Sequence, residues 1–233
     1  VSAFYPVLNT PTTTYTVQPS CGFIDPAYFA ATGSVHPAVD YNAITGNDTD
    51  LGDPVHAADD GTVLYTGWDA YIGGIVEILH PDGSISGYWH LRDVHVVKGQ
   101  RVEGGDFIGQ VGKGAKLNMK AHLHFYVKRA GVIRAPSYWP STHIKNRAAC
   151  EASVRADYHH PEEWLKARGA KRTLAELQAQ RGSPTRVLVN DTEVTGQLVQ
   201  RPANGLTIDA RTSTVRVYAN DPTPVSVPAL PPQ

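Results

Sequence analysis

No run of the chain approaches the roughly 18 apolar residues that a bilayer-spanning helix needs, so no transmembrane segment is expected in it. Charge of one sign is also lacking. The formal net charge is −1, which argues against a broad electrostatic attraction to nucleic acid or to an anionic membrane. Cysteine is scarce, with only Cys21 and Cys150 present. Export would favour a single disulfide between them, joining the start of the chain to the far side of its central region; the alternative is two buried thiols. The chain opens at Val1 with no basic-then-apolar leader, which fits a processed mature form and a trimmed one equally. No internal repeat is visible.

What is present is a globular composition, 41% hydrophobic over 233 residues, enough to bury a core in one or two domains. Residues 1–32 begin Thr- and Pro-rich and read as an extended N-terminal arm. From 33 to about 129 short apolar runs recur, among them Thr62-Val63-Leu64-Tyr65, Ile75-Val76-Glu77-Ile78-Leu79, Val94 to Val97, Phe107-Ile108-Gly109-Gln110-Val111 and His122 to Val127. Asp- and Gly-rich turns such as Asp59-Asp60-Gly61 and Pro81-Asp82-Gly83-Ser84 separate them, because Gly accepts positive φ and Asp bonds its own backbone. Many short strands with tight turns predict a mainly β fold, an antiparallel sheet or barrel. Residues 130–160 read as a looser insertion carrying Trp139 and Cys150. Short helices follow in 161–183: Pro161-Glu162-Glu163 opens one, and Thr173 with Glu176 forms a capping box for Leu174 to Gln180. Residues 184–220 hold four short strand patterns, a small β unit, and 221–233 form a Pro-rich tail.

The chemistry concentrates on histidine. In His122-Leu123-His124 the two imidazoles alternate along a strand onto one face, so one can bind a metal while the other handles protons beside it. His36-Pro37-Ala38-Val39-Asp40 adds an imidazole and a carboxylate, completing a donor set that suits catalytic zinc. On a straight strand His36 and Asp40 would lie about 13 Å apart, so the chain must bend between them, and Pro37 serves that bend. Three protein ligands leave a fourth position for water. His90, ending Tyr88-Trp89-His90, and His122 are then available as proton carriers near their working pH.

Residues from about 33 to 130 resemble the LytM/lysostaphin-type zinc metallopeptidases, the M23 peptidase family. The similarity rests on His36 to Asp40, Gly52 to Val63, Gly87-Tyr88-Trp89-His90-Leu91, Lys98-Gly99-Gln100-Arg101-Val102, Ile108 to Gly112 and His122-Leu123-His124-Phe125, in that order. It implies a β-sheet groove and zinc-dependent endopeptidase activity on peptidoglycan cross-links or Gly-rich peptides. By motif, His36, Asp40 and His124 become ligands to one zinc per chain, and His90 and His122 the non-ligand catalytic histidines. Tyr28 occupies the stretch before the first ligand where some relatives carry a transition-state-stabilising tyrosine. Three positions depart from the family pattern: Ala38 replaces a glycine, Tyr126 replaces an acid, and Gly112 to Lys120 replaces a compact turn with a longer basic loop. The expectation is a secreted, periplasmic or phage-associated enzyme cutting stem or cross-bridge peptides. The alternative is a non-hydrolytic peptidoglycan-binding or amidase-activating protein on the same fold, though such proteins typically lose ligands that this chain keeps.

Overall fold

Period-2 apolar patterns between Asp and Gly turns become strands, and the strands assemble around one long hairpin. The computed structural model describes residues 3–114, 119–139 and 146–181, and beyond them the strand backbones alone. In chain order the elements are β1 (Phe4–Asn9), β2 (Tyr15–Val17), α1 (Pro26–Thr32), β3 (Val39–Ala43), β4 (Pro54–His56), β5 (Gly61–Asp69), β6 (Gly73–Leu79), β7 (Ile85–Val94), β8 (Arg101–Val102), β9 (Phe107–Val111) and β10 (Leu123–Lys128). Then come α2 (Arg147–Asp157), β11 (Tyr158–His159), α3 (Pro161–Ala167), β12 (Lys171–Thr173) and α4 (Leu174–Arg181).

The principal sheet is ten-stranded, with a main path β2-β3-β10-β7-β6-β5-β8; β9 pairs β7 and β4, and β11 pairs β10. All its pairings are antiparallel. The fold is mainly antiparallel β with few short helices, as the turn spacing predicts. Two placements matter for the site. β10 lies between β3 and β7, so His124 stands opposite Asp40 on one side and Trp89 on the other. β7 pairs β10 as far as Trp89 and takes β9 as partner from Leu91, which leaves His90 at the branch.

Alternation along β10 divides the core. Leu123, Phe125 and Val127 enter one buried cluster with Val39, Tyr88 and Ile108. Tyr126 points to the other, with Ile75, Trp89, Cys150 and Val154.

Residues 3–32 do not form an extended arm. β2 joins the edge of the principal sheet through β3, and β1 pairs β12 in parallel. Phe4, Val7 and Leu8 are buried, so the Thr- and Pro-rich composition conceals two strands whose partners lie far along the chain. The 130–160 region likewise contains α2, capped by Asn146, whose side chain accepts from the Ala149 N–H. The run Val94 to Val97 leaves the sheet after Val94.

One compact unit ends at Leu174 and a second begins at Ala175, so the sheet, the N-terminal strands and α3 belong together. In the second unit, β13 (Thr185–Val189) pairs β14 (Thr192–Gly196), and β15 (Leu206–Ala210) pairs β16 (Ser213–Val217). Three of the four expected short strands overlap these hairpins; the second, expected at Gly196 to Val199, is replaced by β14, and residues 197–199 lie outside the described residues. No helix among the described residues is long and apolar enough to cross a membrane.

Candidate metal centre

The bend required between His36 and Asp40 falls at residues 37 and 38, just before β3. Residues 18–24 run alongside and hold both ends of this segment. Ile24 donates its N–H to the His36 carbonyl (2.9 Å), Gln18 to the Asp40 carbonyl (2.8 Å), and Asp40 donates to the Cys21 carbonyl (3.1 Å). His36 Nδ1 lies 3.1 Å from the Gly22 carbonyl. A carbonyl only accepts, so Nδ1 carries the proton and the Nε2 lone pair faces inward.

Three buried donor atoms meet there. His124 Nδ1 is 2.9 Å from Asp40 Oδ1, and His36 Nε2 is 3.2 Å from His124 Nδ1 and 3.3 Å from Asp40 Oδ1. His36, Asp40 and His124 form the one cluster of this kind among the described residues. Ligand atoms about 2.1 Å from a tetrahedral zinc lie about 3.4 Å apart, so this triangle fits the ion with little adjustment. Acceptor lone pairs converging in a buried space repel one another unless a cation or protons occupy it, which is a second reason that the donor set suits a metal.

Electrostatics keep Asp40 and His124 in metal-binding form, while at His36 a proton competes with a metal. Burial, only partly offset by the Asp40 carboxylate, brings His124 down to about 4. Burial also opposes the charged form of Asp40, yet the facing imidazoles hold its carboxyl well below the usual carboxylate range. At His36 burial disfavours the imidazolium, and Asp40 with the Gly22 and Cys21 backbone outweighs it, so its pKa is raised.

His90 and His122 stand beside the triangle with their rings 4.6 Å apart, and His90 is 5.8 Å from the His124 ring. His90 Nδ1 donates to the Ile72 carbonyl and His122 Nδ1 to the Lys120 carbonyl, each at 2.8 Å. In both rings Nε2 is left to act as an acceptor. His122 Nε2 lies 3.8 Å from Asp40 Oδ2. Burial, reinforced by His122 and His124, pushes His90 down to about 3, so it is neutral across the physiological range. Its backbone has φ of 64°, a left-handed conformation that is uncommon outside glycine and that the change of partner along β7 imposes.

Aromatic rings close the site. Asp25 caps α1 by accepting from the Ala27 and Tyr28 N–H groups, and α1 then lays the Tyr28 ring on His36 at 4.4 Å and 21°. Trp89 stacks on His124 at 4.7 Å and 18°. Trp139, from the region expected as a looser insertion, lies 5.9 Å from the His36 ring and 5.7 Å from the His124 ring. A cleft of about 510 Å³ opens over these groups, lined also by Cys21, Ile72, Met119 and Lys120. Lys116, another basic residue of that loop, lies outside the described residues.

One expectation changes. Cys21 and Cys150 are free thiols, not a disulfide. The Cys21 thiol bonds to Asp40, and burial with that carboxylate pushes it up to about 12; Cys150 sits in the core on α2 with the Val35 backbone as partner. At the position of the missing acid, Tyr126 turns its hydroxyl to Glu77 on β6 (2.6 Å), and His124 Nε2 has no hydrogen-bond partner among the described residues. Acid is thus present in this layer, but it supports Tyr126 and not the imidazole.

Residues 34–136 match the family model of Peptidase family M23. Over 104 residues the chain is 38% identical to a lipoprotein NlpD/LppB homolog of Pseudomonas aeruginosa, covering 44% of this chain and 32% of that one. Over 75 residues it is 36% identical to the peptidoglycan DD-endopeptidase ShyA of Vibrio cholerae, covering 32% of this chain and 17% of that one. The chain therefore spans a third or less of the length of these relatives. Among solved structures, lysostaphin of Staphylococcus simulans aligns with a TM-score of 0.48 and 22% identity, over 68% of this chain and 53% of that one.

Proposed function

We propose that the chain is a zinc-dependent endopeptidase acting on the peptide cross-links of bacterial peptidoglycan, outside the cytoplasm where that substrate lies. The observation that carries this reading is the convergence of His36 Nε2, Asp40 Oδ1 and His124 Nδ1, with two more imidazoles turned toward the same space. His36, Asp40 and His124 would hold one zinc per chain. Bound zinc supplies Lewis acidity, polarising a scissile carbonyl and lowering the pKa of water from 15.7 to about 7.

The protein's own groups do the rest. His90 Nε2 and His122 Nε2 take and return the protons that amide hydrolysis moves, and their Nδ1 bonds fix both rings in the tautomer that leaves Nε2 free. The Tyr28 hydroxyl is a further donor at the cleft, where it can meet charge developing on the carbonyl oxygen. Trp89, Tyr28 and Trp139 exclude water from the ligand side and so strengthen these interactions.

Metal analysis of the purified protein beside His124→Ala tests the first half of the reading. About one zinc per chain, lost in the variant, is expected. Incubation of the zinc-loaded protein with purified peptidoglycan tests the second half, and new amino groups should appear. Zinc without released amines would turn the reading toward a wall-binding protein. No zinc in either protein, even after reconstitution, would remove the hydrolase reading altogether.

A further inference from the structure

Behind the metal centre lies a buried charged network that the chemistry above does not use. Glu77 on β6 and Lys128 on β10 form an ion pair, both nearly inaccessible to solvent, and Tyr126 donates to the same carboxylate oxygen. A buried ion pair adds little net stability, since desolvating two charges offsets their attraction. What distinguishes this one is where its remaining bonds go. Lys128 Nζ donates to the Arg134 carbonyl (2.9 Å), and the Tyr126 hydroxyl approaches the Pro136 carbonyl (3.2 Å). The Trp89 indole N–H donates to that same Pro136 carbonyl (2.9 Å).

Three side chains of the sheet thus grip the backbone of residues 134–136, a strap in which Arg134 and Ala135 are exposed. Three residues further on stands Trp139. Its ring lies within 6.3 Å of Tyr28, Trp89 and both ligand imidazoles, yet it remains only half-buried and lines the cleft. It also lies past residue 136, where the family match ends. Among the described residues lining the cleft, Lys120 is the sole Lys or Arg and Asp40 the sole carboxylate. Most of the wall therefore offers aromatic and aliphatic surface.

We propose that Trp139 is a substrate-binding wall of the cleft, and that Glu77, Tyr126 and Lys128 are positioning residues that fix it there through the strap. Its occupant is the small uncharged residue flanking the scissile amide of a cross-link peptide, whose methyl or methylene hydrogens pack on the indole face. This rests on the peptidase reading for the identity of the ligand, while the role of the wall is tested separately.

The experiment measures calorimetric binding of a soluble D-alanine-cross-linked stem-peptide dimer to the zinc-loaded chain, in a His90→Ala background that suppresses turnover. Trp139→Ala should weaken binding about tenfold, and Trp139→Phe by no more than about threefold. Zinc should stay at one per chain in both. Tyr126→Phe, which keeps the ring and removes the hydroxyl, should weaken binding in the same direction. The double variant should bind no worse than Trp139→Ala alone, because both changes remove one contact. Unchanged affinity in Trp139→Ala, loss of zinc from it, or no binding by the parent would overturn the assignment of the wall. Additive losses in the double variant would overturn the positioning role. Binding that depends on Trp139, with no cleavage by the unmutated enzyme, would uphold the wall and sink the hydrolase reading. Cleavage with the same KM in Trp139→Ala, otherwise unmutated, would do the reverse.

Discussion

At His90 a position beside the donor triangle is held at some cost to stability. A left-handed backbone costs a non-glycine residue roughly 1–2 kcal/mol, and at His90 it turns the imidazole toward the triangle where β7 changes partner. Replacing His90 with Ala should leave zinc at one per chain while lowering turnover roughly 100- to 10,000-fold. His36→Ala should lose metal and turnover together. Paired metal analysis and peptidoglycan assays separate the two outcomes, and metal loss from His90→Ala would contradict the division of roles. Asp50 makes a different prediction. Burial raises its carboxyl from 3.8 to about 6, with one oxygen accepting from the Ala43 N–H and the other without a hydrogen-bond partner among the described residues. The folded state therefore keeps this proton to higher pH than the unfolded state does. Stability contributed here is complete below about pH 4 and falls as pH rises toward about 6. Asp50→Asn should remove that dependence and stabilise the chain by about 1 kcal/mol at pH 7.5, read from urea denaturation at pH 4.5 and 7.5. No gain at the higher pH would show that folding does not raise the Asp50 pKa.

Elements far apart in sequence carry much of the fold, and this decides what could be read in advance. β5, β6, β9 and β10 were legible because their alternation and turns are local, as were α3 and α4 from Pro161 and the Thr173–Glu176 box. The ligand set was legible because HxxxD and HxH each place their donors within a few residues. β1 was not, since its partner begins at Lys171 and no local signal points there. Nor was the place of Trp139 beside the ligand imidazoles, because no local pattern shows that Lys128 faces inward and holds the backbone at Arg134. These elements make their own predictions. Phe4→Ala should cost about 3 kcal/mol in denaturant unfolding, because the ring is fully buried on a strand that composition marks as loose. A near-neutral result would mean that β1 is dispensable. At Gly87 on β7 a Cβ would sit 2.0 Å from the Tyr126 ring, which is itself wedged between Glu77 and Trp89. Gly87→Ala should therefore displace Tyr126 and lower the melting temperature by several degrees, roughly 4 °C per kcal/mol lost.

Across the whole molecule, every residue of the metal centre and the cleft belongs to the unit that ends at Leu174, while the two hairpins lie in the second unit. A chain ending after residue 181 should keep its zinc and cleave soluble cross-linked peptides at close to the full-length rate. Metal analysis and a peptide assay would show it, and loss of zinc on truncation would make the second unit part of the site. The metal centre also has a temporal consequence. Its donors come from residues 84 and 88 positions apart, closed by antiparallel pairing that forms only when most of the chain has been made. Long-range pairing is slow, and an unfolded chain holds no preformed ligand triangle. A nascent chain in which β10 has not yet joined β3 therefore has no ligand triangle, and capture of a metal there would mark the completion of the sheet.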